Sequence, residues 1–562
     1  MVSRFPALCA FIFVLAAVPP AESSKFLVYS PTIAQSHVFF LQKIADVLVE
    51  GGHEVVILRP IYDPDVFTNG TSAVPRVIEY WGDGIDRSVW RKLQIKGTDG
   101  RQFDANADPF PLSDIDLMYS IYRETCSQLV HDEDLIRELR NESFDVIISE
   151  KYDGCDVGIA HVLGIRTGIV ATALPFHLSV QTLAGLSPSP HIEPLLTTLR
   201  SDRMTYWERF LNFVEGRVFI HYFSNYLDRQ YKIFYEAFGD AFPVIPGLEK
   251  EFTSVAFVNS LEMLEFARPI SHKIIYIGGL GIAEPKPLDA YYKQIFNNAQ
   301  RGVVLVSFGS LINSSHMPEE MKLAMLEAFS LFPQYSFMWK YDKPDDPIFA
   351  NFSNVYPLSW IPQVDFLAHA RTKAFLTHCG LNSVTESVFH GVPLVALLLF
   401  GDQPHNAALI RSRELGVILS KADVTVESVS NALRAVLEEN HPIRGNVRRM
   451  QKLLSKRPFK SEDLVLRWSE YAATFGSLPE MNVYAGEMAW FQSTMLDIVA
   501  PLIAVTGLLD WMRFFVSKHE HGEGTEATIA ITNNVNQSNW DISIPHNEGS
   551  RASSRMAREE GE

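Results

Sequence analysis

The sequence predicts an α/β protein of two doubly wound domains, with a hydrophobic helix following them. Three observations carry that reading. Short apolar runs alternate with amphipathic stretches in both halves of the chain, and Gly and Pro mark the joints between them. A length of 562 residues exceeds what one hydrophobic core normally organises. A hydrophobic content of 47% with 12% aromatic residues is that of a folded protein. The net charge of −17, with no compensating basic block, excludes a nucleic-acid partner. It also means that an anionic ligand must be held by local donors and helix ends.

Arg4 precedes the apolar run Ala7 to Val18, and small residues follow from Ala21 to Ser24. Residues 1–23 are therefore read as a secretory signal peptide, which sends the mature chain into the endoplasmic reticulum. Sequons at Asn69, Asn141, Asn313, Asn351 and Asn536 are compatible with that route. Cys9 leaves with the leader, so Cys126, Cys155 and Cys379 remain. These suggest neither a disulfide framework nor a zinc site. A Cys126–Cys155 bridge is one option in an oxidising lumen, and Cys379 reads as a small residue in a tight turn.

The first domain opens with a strand, Lys25 to Ser30, and a helix, His37 to Glu50, whose apolar face carries Phe40, Leu41, Ile44, Val47 and Leu48. Gly51 and Gly52 end that helix, and Glu54 to Leu58 returns as a strand. Residues from Asp63 to Asp114 are rich in Gly, Pro and Asp and are read as long loops with small elements, walling a pocket. Phe144 to Ser149 is a further strand, Val157 to Leu163 a helix, and Arg166 to Ala171 the next strand. Gly and Pro cluster in IGGLGIAEPKP, where an interdomain linker is placed at 281–301. Val303 to Ser307 then starts the second domain and leads into Phe308, Gly309 and Ser310, a turn suited to approach a phosphate.

The most informative stretch runs from Trp360 to Ala407. Lys373 to Thr377 reads as a strand ending in the turn His378, Cys379, Gly380. Asn382 to His390 reads as a helix stopped by Gly391 and Pro393, and Leu394 to Phe400 as the parallel strand after it. The helix N-terminus thus offers unpaired N–H groups to an anion, beside His378 and Ser383. Glu386, a turn further on, suits vicinal hydroxyls, and Trp360 suits a base. Together they suggest a nucleotide.

This stretch closely resembles the signature of the UDP-glycosyltransferases, through its WxPQ opening, HCGxNSxxES core, HGVP turn and closing DQ followed by Asn406. The resemblance covers about Lys25 to Val516. It implies the GT-B fold, two Rossmann-like domains facing across a cleft: an acceptor domain over 24–280 and a UDP-sugar domain over 302–455. Residues 456–494 would cross back to the first domain. Ser201 to Phe213 also resembles a family segment, one lying over the donor site.

The implied reaction moves a hexosyl group from UDP-glucose or UDP-glucuronic acid to a hydroxyl of a small lipophilic acceptor, with inversion to a β-glycoside. His37 is the base candidate. It stands where the first loop meets the first helix, whose N-terminus favours the neutral imidazole, and SHVFFLQKIADVL matches the family's catalytic region. Glu150 stands where many members have Asp to orient the base, with Asp153 and Asp156 as neighbouring alternatives. Ser310, His378, Asn382 and Ser383 are assigned to the diphosphate, Trp360 and Gln363 to the nucleoside, Glu386 to the ribose, and Asp402 and Gln403 to the transferred sugar. No cofactor or metal is required. A catalytically silent UDP-sugar-binding or regulatory protein is the alternative. A nicotinamide-dependent dehydrogenase lacks its GxGxxG after the first strand.

Met495 to Val516 is read as a transmembrane helix, with an interfacial helix and a buried or amphipathic soluble helix as the alternatives, because Asp497, Asp510 and Arg513 interrupt it; Asp510 and Arg513 lie three apart and partly offset one another. The expected placement is single-pass in the endoplasmic reticulum membrane with the catalytic domains luminal, and an oligomer is left open. The polar tail, 517–562, reads as disordered.

Overall fold

In the computed structural model the described residues are 23–66, 73–88, 90, 93, 101–106, 112–183, 186, 189–484 and 488–520. The leader, Asn69, Asn536 and all but the first few residues of the tail lie outside them. Residues 1–488 form one compact unit and 489–562 a second.

The first sheet has seven parallel strands in the order β3-β2-β1-β4-β5-β6-β7. They are β1 (Lys25–Tyr29), β2 (Glu54–Pro60), β3 (Arg76–Tyr80), β4 (Val146–Glu150), β5 (Gly168–Thr172), β6 (Thr253–Val258) and β7 (Ile274–Tyr276). The central strands read as continuous apolar runs because helices cover both faces and leave no solvated side. Edge strand β3 alternates between half-buried and exposed residues. It therefore carries no apolar run, and it is one of the small elements expected among the loops of 63–114.

Helix α1 (Gln35–Glu50) packs its Phe40, Leu41, Ile44 and Leu48 against this sheet. Helix α2 (Leu112–His131) is joined to the first residue of α3 (Cys155–Leu163) by the Cys126–Cys155 disulfide. Helix α4 (Tyr206–Phe238) runs 33 residues from a capping box in which the Thr205 and Glu208 side chains each accept the other's backbone N–H. Its buried Asn212 fixes the preceding loop, accepting from Leu195 N at 3.1 Å and donating to Glu193 O at 2.8 Å.

Residues 281–289 cross to the second domain. Helix α5 (Ala290–Asn298) occupies half of the expected linker, and its Ile295 and Phe296 belong to the second core. That core surrounds a six-stranded parallel sheet ordered β10-β9-β8-β11-β12-β13. Its strands are β8 (Gly302–Ser307), β9 (Tyr335–Lys340), β10 (Val355–Leu358), β11 (Thr372–Thr377), β12 (Leu394–Leu397) and β13 (Gly416–Leu419). Helices α6 (Gln363–Ala368), α7 (Leu381–Phe389) and α8 (Gln403–Ser412) rise from its loops. Strand β12 stops three residues short of the expected Phe400, and 398–400 form a loop. The chain then returns: Arg457 and Ser461 donate to the Tyr276 and Gly278 carbonyls at 2.8 and 2.9 Å. Helix α9 (Ser461–Phe475) places Val465 and Ala472 in the first domain's core.

In the second unit, helix α10 (Leu496–Glu520) contains a 22-residue stretch, Leu496–Ser517, long and apolar enough to cross a membrane. Asp510 and Arg513 lie 3.7 Å apart along it, so each charge has a partner one turn away.

Candidate active site

In an open parallel sheet, ligands bind beyond the carboxyl ends of the strands, where strand order reverses. The first sheet reverses between β1 and β4, and the second between β8 and β11. The first turn of α1, after β1, carries His37, and Glu150 ends β4. Phe308 to Ser310 follow β8, and His378 to Gly380 follow β11. Both reversal points open into one cleft of about 1300 Å³, lined by His37, Glu150, Ser310, Trp360, Gln363, His378, Asn382, Ser383, Glu386, Asp402 and Gln403. All the residues singled out in the sequence for catalysis and donor binding thus line a single cavity.

His37 and Glu150 are both buried, and His37 Nδ1 lies 2.7 Å from Glu150 Oε2. The second carboxylate oxygen accepts from Ala173 N at 2.7 Å, which fixes the carboxylate plane. With Nδ1–H facing Glu150, Nε2 is left for the cavity. The Tyr152 ring stands edge-on to the imidazole at 5.0 Å. Burial opposes protonation of His37, but the charge and hydrogen bond of Glu150, with Asp402 adding, outweigh it and raise its pKa. The carboxylates thus act against the helix N-terminus at this ring and make His37 a stronger base. Asp153 faces elsewhere. It accepts from the hydroxyls of Tyr29 and Tyr62 and from Cys155 N. Asp156 is taken up by Ser149.

Across the cleft, α7 starts at Gly380 with no side-chain cap, so its first N–H groups remain for an anion. The His378 imidazole packs between two glycines. A Cβ on Gly309 would come 2.8 Å from its Cε1, and one on Gly380 2.6 Å from its Nε2. Desolvation pushes the His378 pKa down to about 4, so it meets an anion as a neutral donor. Cys379, buried in this turn, takes a positive φ of 70°, and its carbonyl accepts from Asn406 Nδ2 at 3.0 Å. Gln363 Nε2 bridges Ser383 Oγ at 3.2 Å and Glu386 Oε2 at 2.7 Å, tying α6 to α7. Burial raises the Glu386 pKa despite that bond. Trp360 is 68% exposed at the rim, its indole open for stacking.

Asp402 lies within electrostatic reach of both His37 and Cys379. Asn406 Nδ2 donates to it at 2.8 Å. The Gln403 oxygen accepts from Leu399 N and Phe400 N, so only its amide nitrogen is left for a ligand.

Sequence reasoning missed four participants. Glu193, Glu265, Arg268 and His405 form a buried chain joining the domains: Glu193 Oε2 lies 3.8 Å from Arg268, Arg268 2.9 Å from Glu265, and Glu265 3.0 Å from His405. Glu265 is held down to about 2: burial opposes ionisation, but His405 and Arg268 outweigh it. No local motif announces this chain, because Glu193 and His405 are far in sequence from the Glu265–Arg268 pair. Of the sequons, Asn141 and Asn351 are exposed, whereas the Asn313 oxygen accepts from Ser315.

A neutral anion-binding turn facing a carboxylate-oriented histidine across two Rossmann-like domains defines a glycosyltransferase of the GT-B type. Residues 24–518 match the family described as UDP-glucoronosyl and UDP-glucosyl transferase, and the chain belongs to it. UDP-glucuronosyltransferase 1A3 of Homo sapiens is 30% identical over 90% of this chain and 92% of its own length. UDP-glucuronosyltransferase 1A5 of Rattus norvegicus is 28% identical over 89% and 92%. Among solved structures, a UDP-glucosyltransferase of Polygonum tinctorium capable of glucosylating indoxyl matches with a TM-score of 0.54 at 17% identity, covering 81% of this chain and 99% of its own. A Phytolacca americana enzyme complexed with UDP-2fluoro-glucose and pterostilbene matches at 0.52 and 16%, covering 80% and 100%. These two establish likeness of fold. The chain is a UDP-sugar-dependent glycosyltransferase.

Proposed function

We propose that this enzyme transfers a hexosyl group from a UDP-sugar to a hydroxyl of a small lipophilic acceptor, with inversion. The observation that carries the reading is the 2.7 Å His37–Glu150 contact on the wall facing the uncapped α7 N-terminus. His37 Nε2 takes the acceptor proton as the acceptor oxygen attacks the anomeric carbon, and Glu150 holds the ring and stabilises the imidazolium. The leaving UDP gains charge on its diphosphate, where the α7 N–H groups, His378 and Ser310 stabilise it. Trp360 stacks on the uracil, Glu386 holds the ribose, and Asp402 and Gln403 hold the sugar. One displacement turns an α-linked donor into a β-glycoside. The first domain's wall, with Met118, Tyr119, Leu178, Phe219 and Phe223, suits an apolar acceptor. The apolar helix α10 supports a membrane anchor, and the leader supports a luminal active site in the endoplasmic reticulum. The test is a screen of the full-length enzyme with UDP-glucose and UDP-glucuronate against phenols and lipophilic alcohols, with the product anomer assigned by NMR. Absence of any glycoside, or an α-glycoside, contradicts it.

A further inference from the structure

We infer that the sugar end of the cleft selects an uncharged hexose, so that UDP-glucose and not UDP-glucuronate is the donor. The inference rests on the transferase reading above and deepens it.

On that reading the sugar lies at Asp402, which is within electrostatic reach of both His37 and Cys379. A uronate there needs a cation. Among the described residues the cations lining the cleft are Lys151, Arg268, Lys286, Lys340 and Lys421. Lys151 is paired with Glu249, and Lys340 with Asp342 at 2.7 Å. Lys421 donates to Gln102 O at 3.3 Å. Lys286 sits exposed on the interdomain crossing, where its backbone N–H bonds Asp365 of α6, the helix of the nucleoside end. Arg268 is the cation tied to the sugar end, through Glu265 and His405 of α8, and its guanidinium is spent. Its nitrogens reach Glu265 at 2.9 Å and the Phe266 and Phe176 carbonyls at 3.4 Å, and its face lies over the Phe176 ring.

The carboxylates keep acceptor capacity: Asp402 accepts from Asn406 Nδ2 at 2.8 Å, and Glu193 Oε2 lies 3.8 Å from Arg268, beyond hydrogen-bond distance. Glu193 is 5% exposed and lines the cleft, yet its Oε2 has no hydrogen-bond partner among the described residues. Its loop meets α8 directly, with Leu196 O accepting from His405 N at 3.3 Å. Burial already raises the pKa of Asp402, and takes that of Glu193 up to about 7, with the charge of Glu265 adding and Arg268 opposing. A further carboxylate would share space with two that already resist ionisation. A hexose instead brings hydroxyls, which donate to a carboxylate and accept from a carboxylic acid. The named relatives are glucuronosyltransferases, so the inference separates this chain from them.

The test compares kcat/KM for UDP-glucose and UDP-glucuronate with one phenol acceptor, using the full-length membrane-bound enzyme. UDP-glucose is expected to win by on the order of 10²-fold or more, the size of a buried like-charge juxtaposition. Glu193→Gln and Asp402→Asn should each narrow that ratio, by about tenfold, because each removes a carboxyl group that a uronate must either repel or protonate. Because the ratio is read within one preparation, partial loss of folded enzyme does not move it. Equal or preferred use of UDP-glucuronate, or a ratio unchanged in both variants, overturns the inference and leaves the transferase reading standing. No transfer from either donor overturns the transferase reading itself.

Discussion

Glu150→Gln removes one charge from the centre of the cleft while keeping the side chain's size. In the wild type the carboxylate is 2% exposed, 2.7 Å from His37 Nδ1, and anchored by Ala173 N. Burial alone depresses the histidine, and Glu150 is the main reason that its pKa ends above 6.5. Two consequences follow for the variant. The acid limb of the pH–kcat/KM profile, which in the wild type falls at a pH above 6.5, moves to lower pH because only desolvation and the more distant Asp402 remain. The plateau also drops. A charge-assisted hydrogen bond of about 1.5–3 kcal/mol becomes a weaker one to an amide, a loss of roughly ten- to a hundredfold in rate. Initial rates with one phenol from about pH 5 to 9 measure both. An unmoved acid limb with full plateau activity refutes the dyad. If Asp153→Asn shifts the limb instead, the tyrosine hydroxyls seen on Asp153 are not its working partners. The linkage has a stability counterpart. A raised histidine pKa stabilises the fold fully below the unfolded value of about 6.5 and loses that contribution as pH rises through the folded value.

Glu386→Ala is expected to weaken UDP binding by roughly ten- to a hundredfold, since a ribose loses a charge-assisted partner worth about 1.5–3 kcal/mol; calorimetry measures it. Replacing Cys126 and Cys155 with Ser should lower stability by about 2–4 kcal/mol, seen as a lower Tm with the donor site otherwise intact. The chain should resist alkaline carbonate extraction, and glycan mapping should find Asn536 unmodified, because an α10 that spans leaves the tail on the cytosolic side.

The repeating α/β pattern was legible because buried parallel strands such as Val146–Glu150 and Gly302–Ser307 must be apolar throughout. The donor turn was legible because its chemistry is compressed into one strand–turn–helix unit. Strand β3 was not, since an edge strand with one solvated face carries no apolar run. Half of the expected linker proved to be a helix, because its Pro-rich start hid the apolar Ile295 and Phe296 beyond it. The Glu193–Arg268–Glu265–His405 chain was illegible for another reason: each residue reads as an ordinary surface charge until the fold buries it. The Glu150 partner of His37 was legible from its place at the end of a strand, whereas its effect on the imidazole, set by burial and a 2.7 Å contact, needed the fold.

The central claim is that His37 removes the acceptor proton and takes no part in holding the nucleotide. His37→Ala in the full-length enzyme tests it most directly, with transfer rate at saturating donor measured beside UDP affinity. The account predicts a rate loss on the order of 10²-fold or more with the UDP Kd changed by less than about twofold. A variant that still transfers at near wild-type rate, or that loses UDP binding in step with activity, contradicts it.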